Sequence, residues 1–215
     1  MLQKGFFRVK PFNPKTIPLT QIFTKTTSGS YSYTVPSQYN YVQIEIAGAA
    51  GQQAYYSTGT YYGTPGKGSI KTKQYILTSR TISGVVGAQP VLSTSSVQYG
   101  GAGYQNGGNG SESGGGGSYG GGGGGSSSVT CNGELTTVGG GSGCARRAST
   151  GSTTNISSVN GGAGGGPNGG AATYYNSVST VTTINGNNAT DGSVSGYNSG
   201  GGYIKIWGGY NPYYE

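Results

Sequence analysis

Residues 114–129 read GGGGSYGGGGGGSSSV, and whether this stretch is a slack tether or a packed element decides the fold. Glycine has no Cβ, so it adds nothing to a side-chain core and loses more backbone freedom on ordering than any other residue. Such a run is either a flexible linker or a segment whose backbone is itself the packing unit. The composition recurs at 139–141 and through much of the span from 99 to 170, and 47 of the 215 residues are glycine. A structureless loop of about seventy residues inside one domain is far longer than ordinary connections, so an ordered lattice is favoured over a linker. Glycine chains readily adopt polyproline II, with about three residues per turn and no internal hydrogen bonds. Side by side they can bond laterally and so satisfy their buried amides and carbonyls. The interruptions Gln105-Asn106 and Ser118-Tyr119 are expected to mark turns at the ends of such helices.

Outward from the glycines the sequence reads as strand. Val42, Ile44 and Ile46 alternate with Gln43 and Glu45, the period-two pattern of a half-buried strand, and Pro36 and Asn40 supply the turn before it. Further strands are expected at 22–24, 30–35, 68–77, 80–86 and 202–207. Helical periodicity is absent. The expected fold is all-β: β-sandwich-like strands flanking a glycine-rich lattice of polyglycine or polyproline II helices, with the first and last strands pairing to fix the ends of the glycine segments. With four Phe, one Trp and one Met, a thick apolar interior is not expected.

Charged residues make up 8% of the chain, against about 25% in average soluble domains. Disorder usually comes with high charge, so a merely solvated coil does not fit. The net charge of +7 is spread over Lys4, Arg8, Lys10, Lys15 and Lys25 and then thinly along the rest, without the clustering of a nucleic-acid footprint. Nucleic-acid binding is not expected. No stretch reaches the ~20 apolar residues of a membrane span, and Met1 to Leu19 lacks the apolar run of a secretory signal. Neither membrane insertion nor export by the ordinary secretory route is expected, and the sequons at Asn155 and Asn188 read as chance matches in a Ser, Thr and Asn-rich chain.

Residues 1–20 carry Pro11, Pro14 and Pro18 together with Phe6, Phe7, Arg8 and Phe12. Proline at this spacing excludes a helix. The segment is expected to be an extended anchoring arm whose aromatics insert into another subunit. It precedes a glycine-rich β domain at 21–208 and a C-terminal tail at 209–215.

The run from 28 to 52, SGSYSYTVPSQYNYVQIEIAGAAGQ, resembles the opening of the glycine-rich domain of phage tail-fibre and other virion proteins, also found in some extracellular receptors. Gly29, Tyr33, Val35 and Pro36 match its first strand and turn. Val42, Ile44, Ile46 and Gly48 match the second strand, 120–129 and 138–141 its glycine runs, and 200–208 its closing strand. Ala49-Ala50-Gly51-Gln52-Gln53 departs from the pattern, which implies that the first glycine helix is missing here. The resemblance implies a virion protein, trimeric by analogy with fibre relatives.

Chemistry has few candidates. The chain has no histidine, which removes the usual general base, and its five acids form no recognisable catalytic pair. No cofactor or metal is expected, and an enzyme is not. Cys131 and Cys144 bracket a glycine-rich loop and can close a disulfide worth about 3 kcal/mol if geometry allows. Tyrosine is the better functional residue: Tyr55, Tyr56, Tyr61, Tyr62, Tyr174 and Tyr175 fall in expected loops, where a rigid ring with a polar tip suits contact surfaces. They can equally cover the glycine lattice or pack against neighbouring subunits.

The function expected is that of a non-enzymatic virion structural protein on the external surface of the particle. Its arm would bind other capsid or tail proteins and its body a host-surface glycan or protein. The alternative is a self-assembling matrix or filament subunit in which the arm donates a strand to the next copy.

Overall fold

Alternation in sequence becomes alternation in burial. In strand β3 (Tyr41–Ala47) Val42, Ile44 and Ile46 are buried, while Gln43 and Glu45 are only half-covered. The structure, a computed structural model, describes residues 17–56, 59–91, 98–111, 118–149, 156–159, 162–166, 168–174, 183–191 and 194–214. Among these, fifteen strands and no helix are found. The molecule is all-β, as expected.

Two antiparallel sheets form a sandwich. The first runs β1 (Thr20–Lys25), β15 (Tyr203–Gly209), β3, β6 (Gly68–Ile76) and β14 (Gly196–Asn198). The second runs β10 (Glu134–Val138), β9 (Ser127–Cys131), β7 (Thr81–Val86) and β2 (Gly29–Thr34). The last strand lies between the first and third, with Ile204 opposite Ile46 and Ile206 opposite Ile44. These four side chains join Val42, Ile82, Val86, Val129 and Val138 in one buried core. An apolar interior therefore exists, built from Ile and Val, which is why scarcity of Phe and Trp did not prevent it.

Both long edges are closed by side chains. At one, the Phe23 ring stacks on Tyr33 at 4.6 Å, and Tyr33 Oη donates to the Ile22 carbonyl at 3.1 Å. At the other, Lys73 of β6 pairs with Glu134 of β10, and Tyr75 Oη meets Thr136 Oγ1 at 3.4 Å. Lys71 and Lys73 thus share the inner side of their sheet, opposite Ile46 and Ile44 in register. The β9–β10 hairpin turns through Asn132 (φ 51°) and Gly133 (φ 80°), the left-handed pair that a two-residue hairpin requires. Asn132 then ties the sheets together, donating to the Ile76 carbonyl at 2.7 Å and accepting from the amides of Thr78 and Ser79.

The glycine segments leave the same end of the sandwich. Residues 48–53 follow β3, 63–67 precede β6, 120–126 precede β9 and 139–144 follow β10. Their amides bond sideways on a three-residue schedule. From 139–144, Gly140 and Gly143 donate to Gly165 and Gly162, Gly141 and Cys144 to Ala49 and Gln52, and Ser142 to Asn187, all at 2.9 to 3.0 Å. From 120–126, Gly121 and Gly124 donate to Cys144 and Gly141, while Gly120, Gly123 and Ser126 donate to Ser111, Gly108 and Gln105. Successive amides face different neighbours and every third faces the same one, the periodicity of chains with three residues per turn. A side chain at Gly121 or Gly124 would collide with the backbone of Gln52 or of Ala49 and Ala50.

Two expectations need correction. Residues 48–53 are not a missing segment: Ala49 and Gln52 donate to Gly125 and Gly122, and Gly48 and Gly51 to Ser69 and Gly66. Alanine methyls are buried there without loss of the backbone schedule. Ser118-Tyr119 forms a short strand rather than a turn, whereas the chain does bend at 103–105, beside Gln105-Asn106. In the C-terminal tail, Gly209 ends β15 and buried Asn211 exchanges bonds with Asn40.

Beyond the lattice lie two three-stranded sheets. One is β5 (Thr60–Tyr62), β4 (Ala54–Tyr56) and β8 (Ser118–Tyr119); the other is β12 (Ile156–Val159), β11 (Ala145–Ser149) and β13 (Thr183–Ile184). Residues 48–53 run directly from β3 into β4, and 139–144 from β10 into β11. The glycine bundle therefore separates a sandwich base from a tip.

Candidate attachment surface at the tip

Two residues of strand are too few to stand alone in water, so the tip is held by what lies beneath it and by its own rings. Register places Tyr55 opposite Tyr61 on one side and Tyr119 on the other, which puts all three on one face. The Tyr55 ring lies 5.1 Å from that of Tyr61, tilted by 43°, and 6.0 Å from that of Tyr119, nearly parallel at 17°. These separations fall within the range of favourable aromatic pairs. Tyr55, in the middle, is 4% exposed.

The tyrosines singled out in the sequence therefore divide. Tyr55 is a packing residue, the centre of a ladder, and not a contact surface. Tyr61 and Tyr62 are half-buried and present the sheet's outer part. Tyr174 is 69% exposed and follows Thr173, whose Oγ1 donates to the Gly143 carbonyl at 2.8 Å. That bond fixes it beside the distal end of the lattice. The Tyr56 backbone lies in β4, whereas its side chain and Tyr175 lie outside the described residues. Tyr119, the third ring, is not among the contact tyrosines expected from sequence, because a serine-tyrosine pair between glycine runs reads as punctuation. Its signal was the size of the side chain amid residues that have none.

The opposite pole holds both ends of the described chain. Ile17, Pro18 and Leu19 lie against Gly209, where any side chain would meet them. The inner end of the arm is thus docked on the sandwich base; the anchoring candidates Phe6, Phe7, Arg8 and Phe12 lie outside the described residues. Tyr210, Tyr213 and Tyr214 are exposed at the same pole. Arg80 is committed there structurally, its guanidinium donating to the carbonyls of Pro36, Ser37 and Tyr39.

Each described acid has a lysine. Glu45 accepts from Tyr203 Oη at 2.9 Å with Lys205 at 3.5 Å, and Lys73 beside Glu134 holds that carboxyl below the usual range. Asp191 is buried at the junction of sandwich and lattice. It takes Lys71 Nζ at 3.2 Å, the Gly139 amide at 2.6 Å, Asn168 Nδ2 at 2.8 Å and the Ser69 hydroxyl. Such a fully engaged carboxylate is a structural tie. Cys131 and Cys144 are both buried and free, so the disulfide envisaged between them is not formed. Cys131 belongs to the sandwich core and Cys144 to the lattice, beneath β4. Burial pushes both thiols up, Cys131 to about 11 with the Glu134 charge adding to the shift. Low-pKa thiolates are the reactive ones.

Among the described residues no cluster of His, Cys, Asp or Glu could hold a metal ion, and no helix is long and apolar enough to cross a membrane. No protein-family model matches the chain, and no curated protein matches it.

Proposed function

We propose that the protein is a non-enzymatic virion structural protein, a phage fibre or a capsid or tail decoration, that fixes its base to the particle and presents its tip to the host surface. The observation that carries this reading is polarity. The arm leaves at the pole where Ile17 to Leu19 meet Gly209, and the tyrosine ladder stands at the other, with the bonded glycine bundle between them. A backbone lattice suits a spacer, because loops on a rigid scaffold can vary without disturbing what supports them. Phe6, Phe7, Arg8 and Phe12 are the residues assigned to contact with neighbouring capsid or tail proteins. Tyr61, Tyr62 and Tyr174 are assigned to the host glycan or protein. The expected copy number is three around one attachment point.

The test is location and competition on purified particles. Electron microscopy with an antibody against the tip should label the outside of the particle, and excess purified protein should slow adsorption to host cells. Protein found only inside the particle, or adsorption indifferent to excess protein, would rule this function out. Deleting residues 1–16 should leave a soluble folded domain that no longer joins particles. If the deletion instead abolished self-polymerisation of the purified protein, the molecule would be a filament subunit.

A further inference from the structure

On the flank of the glycine bundle, just below the tyrosine sheet, a cleft of about 290 Å³ is lined by Gly51, Gln52, Gln53, Pro65, Gln89 and Pro90. We infer that this cleft is a binding site for one neutral sugar ring.

Size, charge and lining chemistry converge on that ligand. Ligand sites commonly span about 300 to 1,000 Å³, so this one is of single-ring dimensions and too small for a peptide segment. No lining residue is charged, which disfavours phosphate, carboxylate or amine as the group recognised. Three of the six lining residues are glutamines, and an amide both donates and accepts, as a ring hydroxyl does. Two prolines supply apolar surface without donors of their own, a match for the C–H face of a pyranose.

The amides are only partly spent within the protein. Gln53 Nε2 donates to the Gly63 carbonyl at 2.9 Å, which turns its side chain along the wall, and Gln89 Nε2 reaches the Gly51 carbonyl only at 3.4 Å. Gln52 is 3% exposed: its Oε1 takes the Gly122 amide at 3.4 Å, while its Nε2 is buried with no acceptor. A buried donor without a partner is uncommon in folded proteins, and rotation of this amide would present it to a ligand hydroxyl at the cleft floor.

The floor is formed in advance. Gly51 donates to Gly66 and Gln52 to Gly122, both at 2.9 Å, so the floor belongs to the lattice. A side chain at Gly51 would run into the backbone of Ser142 and Gly143. Binding then needs no ordering of the floor's backbone, which lowers its entropic cost. The cleft can be read in solution, independently of whether the tip touches a cell.

The experiment is side-chain amide NMR on the full chain, titrated separately with the methyl glycosides of glucose, galactose and N-acetylglucosamine at millimolar concentrations. With at least one of the three, the Nε2 resonances of Gln52, Gln53 and Gln89 should shift saturably while those of Gln43 and Gln74 stay still. Gln89→Ala and Gln53→Ala should each weaken that titration about tenfold, the loss of one or two hydrogen bonds, with lattice backbone amides unmoved as the check on folding. Absence of a saturable shift with all three glycosides would overturn the assignment. So would shifts spread evenly over the surface, or unchanged affinity in both variants.

Discussion

The amide of Gly124 donates to the carbonyl of Gly141 at 2.8 Å, and one turn away the same bond recurs from Gly121 to Cys144 at 3.0 Å. Neither position has room for a side chain, because a Cβ on Gly121 would overlap the Gln52 carbonyl, and one on Gly124 those of Ala49 and Ala50. Gly121→Ala should therefore destabilise the protein by about 3 kcal/mol, the upper part of the overpacking range. Gly201→Ala, where a Cβ meets nothing within 4 Å, should stay within about 0.5 kcal/mol of the parent. Urea titrations of the two variants make the comparison, and equal midpoints would refute backbone packing as the source of rigidity.

Asp191 is the point where the lattice is tied to the sandwich. Its partners Ser69 and Lys71 begin β6, Gly139 follows β10, and Asn168 lies in the glycine-rich return. Asp191→Ala removes the acceptor from all four and leaves Lys71 without its counter-charge, an effect of about 3 kcal/mol for broken buried pairs. Asp191→Asn should fall between the two, since one oxygen still accepts. Denaturant melts of both variants check the order, and an alanine variant as stable as the asparagine one would show that the carboxylate is not a tie.

Strands of seven residues were legible because period two leaves a trace in sequence: β3 and β15 lie where alternation of Val, Ile and polar residues put them. In β6 the alternation was visible but its sense was not. Lys71 and Lys73 can lie on the sandwich's inner side because Asp191 and Glu134 pair with them there, and both partners are far away in sequence. The tip strands β4, β5 and β8 have two or three residues, too short for any period. Asn132-Gly133 was a readable signal of a two-residue hairpin that the surrounding glycines concealed. Density of glycine suggested a lattice, but which segments are neighbours depends on pairings across the whole chain. Ala49 and Ala50 read as a break in the pattern and are members of it.

Cys131 titrates in a sense that can be tested. Burial first, and the nearby Glu134 charge second, raise its pKa from 9.0 to about 11. Between those values the unfolded chain releases its proton while the folded chain keeps it, so the unfolded state binds fewer protons and stability falls as pH rises. The contribution is complete below pH 9 and is lost progressively toward 11. Wild-type protein should accordingly lose more stability between pH 8 and pH 10.5 than Cys131→Ala does, measured by denaturant titration at each pH. In the native state at pH 8, both Cys131 and Cys144 should resist alkylation until denaturant is added. Parallel pH profiles, or rapid native labelling of Cys131, would contradict this account.

Stability and attachment should separate within the tyrosines of the tip. Tyr55 is the covered centre of the ladder between Tyr61 and Tyr119, so Tyr55→Ala opens a cavity and should cost about 3 kcal/mol. Tyr174 projects into solvent, so Tyr174→Ala should leave the melting temperature unchanged. Its effect should appear only in function, as slower adsorption of particles that carry the variant. Tyr61→Ala should show both effects, because that ring packs on Tyr55 on one side and is half-exposed on the other. Thermal melts and adsorption rates measured on the same three variants discriminate the roles. If Tyr174→Ala and Tyr61→Ala particles adsorbed as fast as the parent while Tyr55→Ala alone lost stability, the rings would serve only to cover the glycine bundle, and the contact surface would have to lie elsewhere on the tip.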